Sequence, residues 1–461
     1  MEVQNVEIRQ RKPTEEEGQN GRSYAESRQV VLHHDKRTSP FFSIKKGLIA
    51  LTSIGLGLFS WMNMGQRPID PLDYKARTDH VMKTTPLIDG HNDLPYLTRL
   101  ELKNKIYDRR FTFREGLACH TDLKRMKDGR VGGQFWSVYV ECPDIVHLDD
   151  PNHNVRDTLE QIDVAKRIFN EYPELHYCET SSCAHKAFKS GRIASMLGAE
   201  GLHQAGSAIA VIRQFWDLGV RYITFTHNCD NPFATAASTV TETGKDGGLT
   251  EFGRAAVQEM NRLGMMVDLS HVSHRTMRDV LDITTSPVIF SHTGCYSIVN
   301  NYRNAPDDVI VRLKENGGVM MVYFVNRFIK ANNPSEATPE DAVDCIFHAV
   351  ELAGWDHVGI GADFDGTREL PNGIRGVSDY PYLVETMMQR GATDDQVRKF
   401  LGENILRAWH QNEINAVKLQ KVMGKKPVEE VWEGRRWGRW NNGLPVMIPG
   451  NKDRIRGKDY I

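Results

Sequence analysis

From about residue 80 onward, short apolar runs that end in polar residues alternate with amphipathic stretches. Eight runs have the composition of buried strands: 87–93, 132–141, 193–200, 222–228, 265–271, 288–292, 318–324 and 357–365. Segments with a helical period lie between them, such as 158–173, 208–219, 251–264 and 341–355. Eight strand–helix repeats predict an α/β fold, a closed (β/α)8 TIM-like barrel over residues 80–420. An open doubly wound sheet is the competing fold, but it usually carries a glycine-rich phosphate turn, which the sequence lacks.

The segment before the barrel has a different pattern. Residues 1–46 are polar and charged with little apolar periodicity, so we predict a disordered tail. Residues 47–64 then contain no charge, with Lys45 and Lys46 before them and Trp61 near the other end. We predict a single transmembrane helix, with a cytosolic N-terminus and the barrel on the lumenal or extracellular side. A buried core helix is the alternative.

Two further segments complete the domain organisation. We interpret residues 65–79 as a linker and residues 421–461 as a C-terminal extension that packs on the barrel. The one candidate glycosylation site, Asn333-Pro334-Ser335, is blocked by its proline and gives no support to a lumenal location.

Composition limits the class of partner. The 58 Lys and Arg residues nearly balance the 60 Asp and Glu residues, and no long run carries one sign of charge, so a nucleic-acid partner is not expected. The seven cysteines include no C-x-x-C pair, which argues against a structural zinc knuckle. Their odd number leaves the redox compartment open.

Side chains that can bind a metal ion stand at the ends of the predicted strands. They are His91 and Asp93 (first strand), Glu200 (third), His227 (fourth), His271 (fifth), His292 (sixth), and Asp363 with Asp365 (eighth). Each alone could be a cap or a satisfied core group. In a (β/α)8 barrel, however, the carboxyl ends of the strands converge on one face, and imidazoles and carboxylates are ligands that zinc prefers. The set therefore predicts a metal site.

The motifs around these residues resemble one family. The stretches LIDGHNDLP, GAEGLH, THNC, DLSHVS, VIFSHT and GADFDG are similar, in order and spacing, to those of the renal (membrane) dipeptidases. These are zinc peptidases of peptidase family M19 on an amidohydrolase-type barrel, and the resemblance covers roughly residues 80–415. It implies a dipeptidase with two Zn²⁺ ions per subunit and dipeptides as substrates.

The resemblance also implies metal ligands. His91 and Asp93 match the ligands of the first zinc, and His271 and His292 match those of the second. Glu200 matches the carboxylate that bridges both ions. Two ions held in this way can share a hydroxide derived from a water whose pKa is lowered to around 7, and this hydroxide would attack the peptide carbonyl.

Three more residues receive roles from the same resemblance. His227 matches a substrate-binding histidine that can stabilise the oxyanion, and Arg303 matches the residue that receives the substrate carboxylate. Asp363 matches an acid/base group that also contacts the substrate. Together with Glu200, His227 and Asp363 are the catalytic candidates. Asp365 we interpret as structural.

The cysteines and the termini are compared last. Cys142 and Cys229 match a disulfide of the mammalian relatives, which suits an oxidising compartment. A second family disulfide is missing because a valine stands near residue 299, and the family's intersubunit cysteine and C-terminal lipid-anchor signal have no counterpart. A homodimer remains the expectation from the family.

Three functional hypotheses follow. The first is a membrane-tethered zinc dipeptidase, and the second is another amidohydrolase acting on cyclic amides or lactones. The third is an inactive barrel used as a binding module. Arg303 favours the first over the second, because a cyclic substrate offers it no carboxylate. The competent ligand type at every metal position argues against the third.

Overall fold

The computed structural model describes residues 69–142, 152–422 and 426–434. Its strands are β1 Leu87–Asn92, β2 Val131–Val138, β3 Leu175–Tyr177, β4 Ile193–Glu200, β5 Val220–Thr224, β6 Met266–Asp268, β7 Ile289–Thr293, β8 Val319–Val322 and β9 Val358–Ile360. Strand β1 pairs with β2, β2 pairs with β4, and β4 to β9 follow in order back to β1, all parallel. Eight strands thus form a closed barrel. The short β3 pairs only with the beginning of β4.

Helices surround the barrel. They are α1 Tyr74–Thr84, α2 Leu94–Leu102, α3 Leu123–Asp128, α4 Asn152–Glu171, α5 Ser181–Lys189, α6 Ile209–Asp217, α7 Ala237–Thr243, α8 Glu251–Leu263, α9 His274–Ile283, α10 Asp307–Asn316, α11 Asn326–Ile329, α12 Pro339–Ala353, α13 Tyr380–Gln389, α14 Asp394–Arg398 and α15 Asn404–Val422. Local chemistry sets their ends. In α8, Thr250 accepts a hydrogen bond from the backbone N–H of Gly253 at the start, and Gly264 ends the helix at φ 80°.

The inside of the barrel is a packed core. Ile88, Phe135 and Met266 belong to one buried cluster with Trp409 of α15. The Trp409 side chain is fully buried, and its ring centroid lies 5.6 Å from that of Phe135. Helix α15 therefore closes the end of the barrel where the strands begin, and leaves the other end for a site.

The predicted barrel is confirmed, but six of its eight predicted strands end one to five residues earlier in the structure. The predicted strands 222–228, 265–271 and 357–365 stop in the structure at Thr224, Asp268 and Ile360. The chain turns after them, so several polar residues lie on loops above the barrel. The structure also adds β3, which the sequence pattern did not predict, and helix α1 begins within the segment interpreted as a linker.

The two N-terminal predictions, the tail at 1–46 and the membrane helix at 47–64, lie outside the described residues. In the part of the chain that is described, no helix is long and apolar enough to cross a bilayer. Of the predicted C-terminal extension beyond α15, residues 426–434 are described. There the Val428 N–H donates to Glu259 Oε2 over 3.1 Å, and the Val428 carbonyl accepts from Arg213 Nη1 over 2.9 Å, so this part packs on the barrel.

Candidate metal centre

The strand-end side chains meet around the Glu200 carboxylate, at the end of β4. Its Oε1 atom lies 3.1 Å from His271 Nε2, 3.2 Å from His292 Nε2, 3.6 Å from His91 Nε2 and 3.9 Å from His227 Nε2. Four imidazoles on four different strand ends therefore surround one buried oxygen. This is the convergence expected from the sequence.

Possible ligand atoms form three overlapping groups, each within 4.8 Å. The groups are His91, Asp93 and Glu200; Glu200, His271 and His292; and His91, His292 and Asp363. Glu200 belongs to the first two groups, so one carboxylate could contact two cations at once. The first two groups contain the five residues that the family resemblance implies as ligands.

Hydrogen bonds orient two of the histidines. Tyr222 donates its hydroxyl to the Gly90 carbonyl over 3.0 Å, so its oxygen can accept from His91 Nδ1, 3.1 Å away. In the same way His271 Nδ1 lies 3.2 Å from the Asn228 Oδ1 acceptor. When Nδ1 carries the proton, Nε2 presents a lone pair toward Glu200.

The third histidine is oriented by a buried aspartate. Ser291 Oγ donates to Asp268 Oδ2 over 2.5 Å and can accept from His292 Nδ1 at 2.9 Å. Asp268 also accepts from the hydroxyls of Thr224 and Ser270, at 2.6 and 2.9 Å. The proton on His292 is thereby held at Nδ1, and its Nε2 also faces the centre with a lone pair.

These lone pairs need a positive partner. His271 Nε2 and His292 Nε2 face one another at 3.0 Å. His91 Nε2 and Asp93 Oδ1 are buried, and no hydrogen-bond partner for either lies among the described residues. Several acceptors aimed at one volume fit divalent cations, and the mixed imidazole and carboxylate donors suit zinc.

The pKa shifts of the site residues also indicate that the centre can hold cations. Burial lowers the pKa of His271 and His292 well below the usual value, which keeps both imidazoles neutral. Burial also opposes charge on His91, but Asp93 and Glu200 outweigh it and raise the pKa of His91 well above the usual value. Burial raises the pKa of Glu200 as well. The centre therefore attracts positive charge, which a proton or a metal ion can supply.

Three further candidates border the centre. Arg303 is 6% exposed and donates from Nη2 to the His292 carbonyl over 2.8 Å, while its buried Nη1 has no partner among the described residues. His227 lies against Tyr139, with ring centroids 4.5 Å apart. Burial raises the pKa of Asp363 to about 8. Arg303, His227 and Asp363 line, with Glu200, a cavity of about 960 Å³.

Two of the site residues have an uncommon backbone conformation. His271 and Asp363 both have φ 63°. The His271 carbonyl accepts from the N–H of Ala237 over 2.8 Å and from Thr226 Oγ1 over 3.1 Å, which holds this turn in place. Positive φ at residues other than glycine is typical of functional sites, where the surrounding structure imposes it.

The structure places Asp365 away from the centre. Its Oδ1 accepts from the His120 N–H over 2.6 Å, and its own N–H donates to His120 Nδ1 over 3.0 Å. This reciprocal pair ties the loop before α3 to the loop after β9. The contact agrees with a structural role.

Two disulfides are present. Cys142–Cys229 joins the segment after β2 to the loop that carries His227, with a Cα–Cα distance of 6.0 Å. Cys178–Cys183, which was not predicted, spans the turn between β3 and α5.

The sequence pattern did not predict the residues that orient or contact the site histidines. They are Tyr222, Asn228, Asp268, Ser291 and Tyr139. The signal that could have found Asp268 is its position three residues before His271 on an otherwise apolar run.

Comparison with known proteins adds evolutionary information. The sequence model of the membrane dipeptidase family, peptidase family M19, matches residues 75–422. The chain belongs to the membrane dipeptidase family. Within it, an uncharacterized dipeptidase of Schizosaccharomyces pombe is 48% identical over 384 residues, which cover 81% of this chain and 92% of that protein. Dipeptidase verJ of Clonostachys rogersoniana is 41% identical over 367 residues, covering 78% and 92%. The family resemblance is therefore confirmed.

Solved structures support the fold. A metallopeptidase of Rhodobacter sphaeroides, liganded with a phosphinate mimic of the dipeptide L-Ala-D-Ala, superposes with a TM-score of 0.64 at 24% identity. The match covers 71% of this chain and 99% of that one. The probable dipeptidase PvdM of Pseudomonas aeruginosa gives 0.68 at 18% identity, covering 75% and 100%. The barrel is thus the membrane dipeptidase fold, and membership of a metallopeptidase family implies a metal cofactor.

Proposed function

We propose that the protein is a membrane-tethered, zinc-dependent dipeptidase of the membrane dipeptidase type. The observation that carries the proposal is the pairing of two features in one cavity. Three oriented imidazoles and the Asp93 carboxylate surround Glu200, and beside them lies a buried guanidinium whose Nη1 has no partner among the described residues. A metal centre next to a carboxylate receptor suits a substrate whose scissile bond lies one residue from a free C-terminus.

The ligands divide into two sets in this proposal. His91, Asp93 and Glu200 would hold one zinc ion, and Glu200, His271 and His292 the other. Two zinc ions, when bound, would lower the pKa of a shared water so that a bridging hydroxide is available, and would polarise the scissile carbonyl.

The remaining residues act on the substrate. Arg303 would bind the C-terminal carboxylate and place the peptide bond over the centre. Because burial lowers the pKa of His227 well below its usual value, its neutral imidazole could donate one hydrogen bond to the developing oxyanion. Asp363, whose ligand-free pKa is raised, could take up the proton of the attacking water and pass it to the leaving amine.

A dipeptide panel with and without a chelator tests the proposal. We expect the purified protein to hydrolyse dipeptides, to lose the activity on dialysis against a chelator, and to regain it with added Zn²⁺. A cyclic amide and a lactone, assayed alongside, should be hydrolysed much more slowly. Hydrolysis of the cyclic substrates but not of dipeptides would favour the other amidohydrolase activity. Stoichiometric zinc without any hydrolysis would favour the binding module.

The membrane attachment is tested separately. Since residues 47–64 carry no charge and follow a pair of lysines, we propose that they hold the protein in the membrane with the barrel on the non-cytosolic side. After alkaline carbonate extraction, the intact protein should remain in the pellet, and the barrel should resist protease in sealed vesicles. A chain with residues 47–64 deleted serves as the control and should move to the supernatant. Recovery of the intact chain in the supernatant would contradict the proposal.

A further inference from the structure

One wall of the cavity carries two arginines. Arg303 lies over the ring of Tyr323, with 5.2 Å from its guanidinium carbon to the ring centroid, and Arg327 lies over Phe328 at 4.8 Å. The two rings stack on each other, with centroids 5.6 Å apart and planes 12° from parallel. We call Arg303, Tyr323, Arg327 and Phe328 the arginine wall. Arg303, Arg327 and Phe328 line the cavity, and the fully buried ring of Tyr323 contacts both Arg303 and Phe328, so it connects the two arginines.

The two arginines differ in their surroundings. Arg303 is buried and anchored on the His292 carbonyl, whereas Arg327 is exposed. Within the described part of the chain, no carboxylate lies within 4.0 Å of the Arg327 guanidinium, so its charge is not used in an ion pair. Arg327 nevertheless lines the cavity. The contact with the Phe328 ring restricts the conformations of the Arg327 side chain but does not neutralise its charge.

The charged groups on the other walls of the cavity are mostly acidic. Besides Glu200 and Asp363 at the centre, the lining contains the exposed carboxylates of Glu242, on α7, and Glu369, on the loop after β9. The exposed Arg368 beside Glu369 adds one positive charge on that loop, and none of these three residues belongs to the arginine wall. Arg327 is close enough to the centre for its charge to lower the pKa of His271, so the side chain of a C-terminal residue whose carboxylate binds Arg303 would lie within its reach. An acidic side chain there would be attracted by Arg327 and repelled by Glu242 and Glu369.

We propose that Arg327 binds the side-chain carboxylate of the substrate's C-terminal residue, so that the enzyme prefers dipeptides ending in glutamate or aspartate. This inference rests on the proposed function, because it assumes that Arg303 holds the C-terminal carboxylate. It adds a substrate class and a specificity residue to that function. An arginine suits the task because its planar fork can bind a carboxylate through two parallel hydrogen bonds.

A matched pair of substrates isolates the charge. Ala-Glu and Ala-Gln have nearly the same shape and differ in the side-chain carboxylate. We expect kcat/KM of the unmodified enzyme to be about tenfold higher for Ala-Glu, and this ratio to fall as salt screens the exposed charge. Arg327→Gln should reduce the ratio to about 1, and Arg327→Lys, which keeps the charge, should retain part of it. Arg368→Gln, at another exposed arginine of the lining, is the matched control and should preserve the ratio.

The outcomes separate this inference from the proposed function. If neither dipeptide is cleaved by the zinc-loaded enzyme, the proposed function fails. If both are cleaved with equal kcat/KM, the function stands and the inference is overturned. Loss of the ratio in Arg368→Gln, with Arg327→Gln unchanged, would also overturn it. Thermal unfolding midpoints of the variants check that a changed ratio does not come from misfolding.

Discussion

Replacing Glu200 by glutamine should lower kcat/KM for dipeptides by about a thousandfold or more, which corresponds to ~4 kcal/mol of transition-state stabilisation. Glutamine nearly preserves the size of the side chain but removes the negative charge that faces four imidazoles at 3.1–3.9 Å. Two divalent cations would then repel each other without the carboxylate between them. The metal content, measured by elemental analysis after dialysis, should fall together with the rate.

A control separates this effect from loss of folding. Glu351→Gln changes an exposed carboxylate on α12 and should keep both the rate and the zinc content. The Glu200 variant should also unfold cooperatively, because glutamine fills the same buried volume. If Glu200→Gln retained two ions per chain and the full rate, a bridging role for Glu200 would be wrong.

Amidation of the substrate's C-terminus should slow hydrolysis between about thirtyfold and several thousandfold. An amide in place of the carboxylate leaves the buried Arg303 guanidinium without a counter-charge, at a cost of roughly 2–5 kcal/mol, and about 1.4 kcal/mol is a factor of ten. Tripeptides should be slowed to a similar extent, because an amide also follows their first peptide bond. The measurement is kcat/KM for a dipeptide, its amide and the corresponding tripeptide.

Variants of Arg303 test its proposed role in binding the substrate carboxylate. Arg303→Ala should slow dipeptides sharply but leave amidated dipeptides nearly unchanged, so that the difference between them narrows. Arg303→Lys should recover only part of the rate, since lysine lacks the planar fork. Arg312→Ala, a change at an arginine that pairs with Asp282 on the surface of the barrel, is the control. Equal rates for a dipeptide and its amide in the unmodified enzyme would contradict both the role of Arg303 and the dipeptidase proposal.

The sequence predicted the barrel because its strands are buried on both faces. Such strands appear as continuous apolar runs, and β4 was predicted with the bounds that the structure has, Ile193–Glu200. The convergence of the site residues followed from the fold itself, since parallel strands end on one face of a barrel. The separate roles of those residues came from the family resemblance rather than from any pattern.

Some features of the structure leave little or no recognisable pattern in the sequence. Strand β3 has three residues, of which only Leu175 is buried, and is too short to show a period. The turns at His271 and Asp363 place residues other than glycine at positive φ, so the usual glycine that marks such a turn is absent. The position of Asp268 on an apolar run marks it as unusual, but its partners Thr224 and Ser291 lie on other strands, so the sequence does not identify the hydrogen bonds that it makes.

The barrel is closed at the end where its strands begin, and this limits how substrate and products enter and leave the enzyme. Because α15 seals that end with Trp409 against Phe135, a substrate and both of its products must use the same opening. If Arg303 binds the substrate carboxylate as proposed, the amino acid released from the C-terminal side would keep that contact. It would then leave last and block the next dipeptide until it does. The turnover rate would then depend on product release as well as on hydrolysis of the peptide bond.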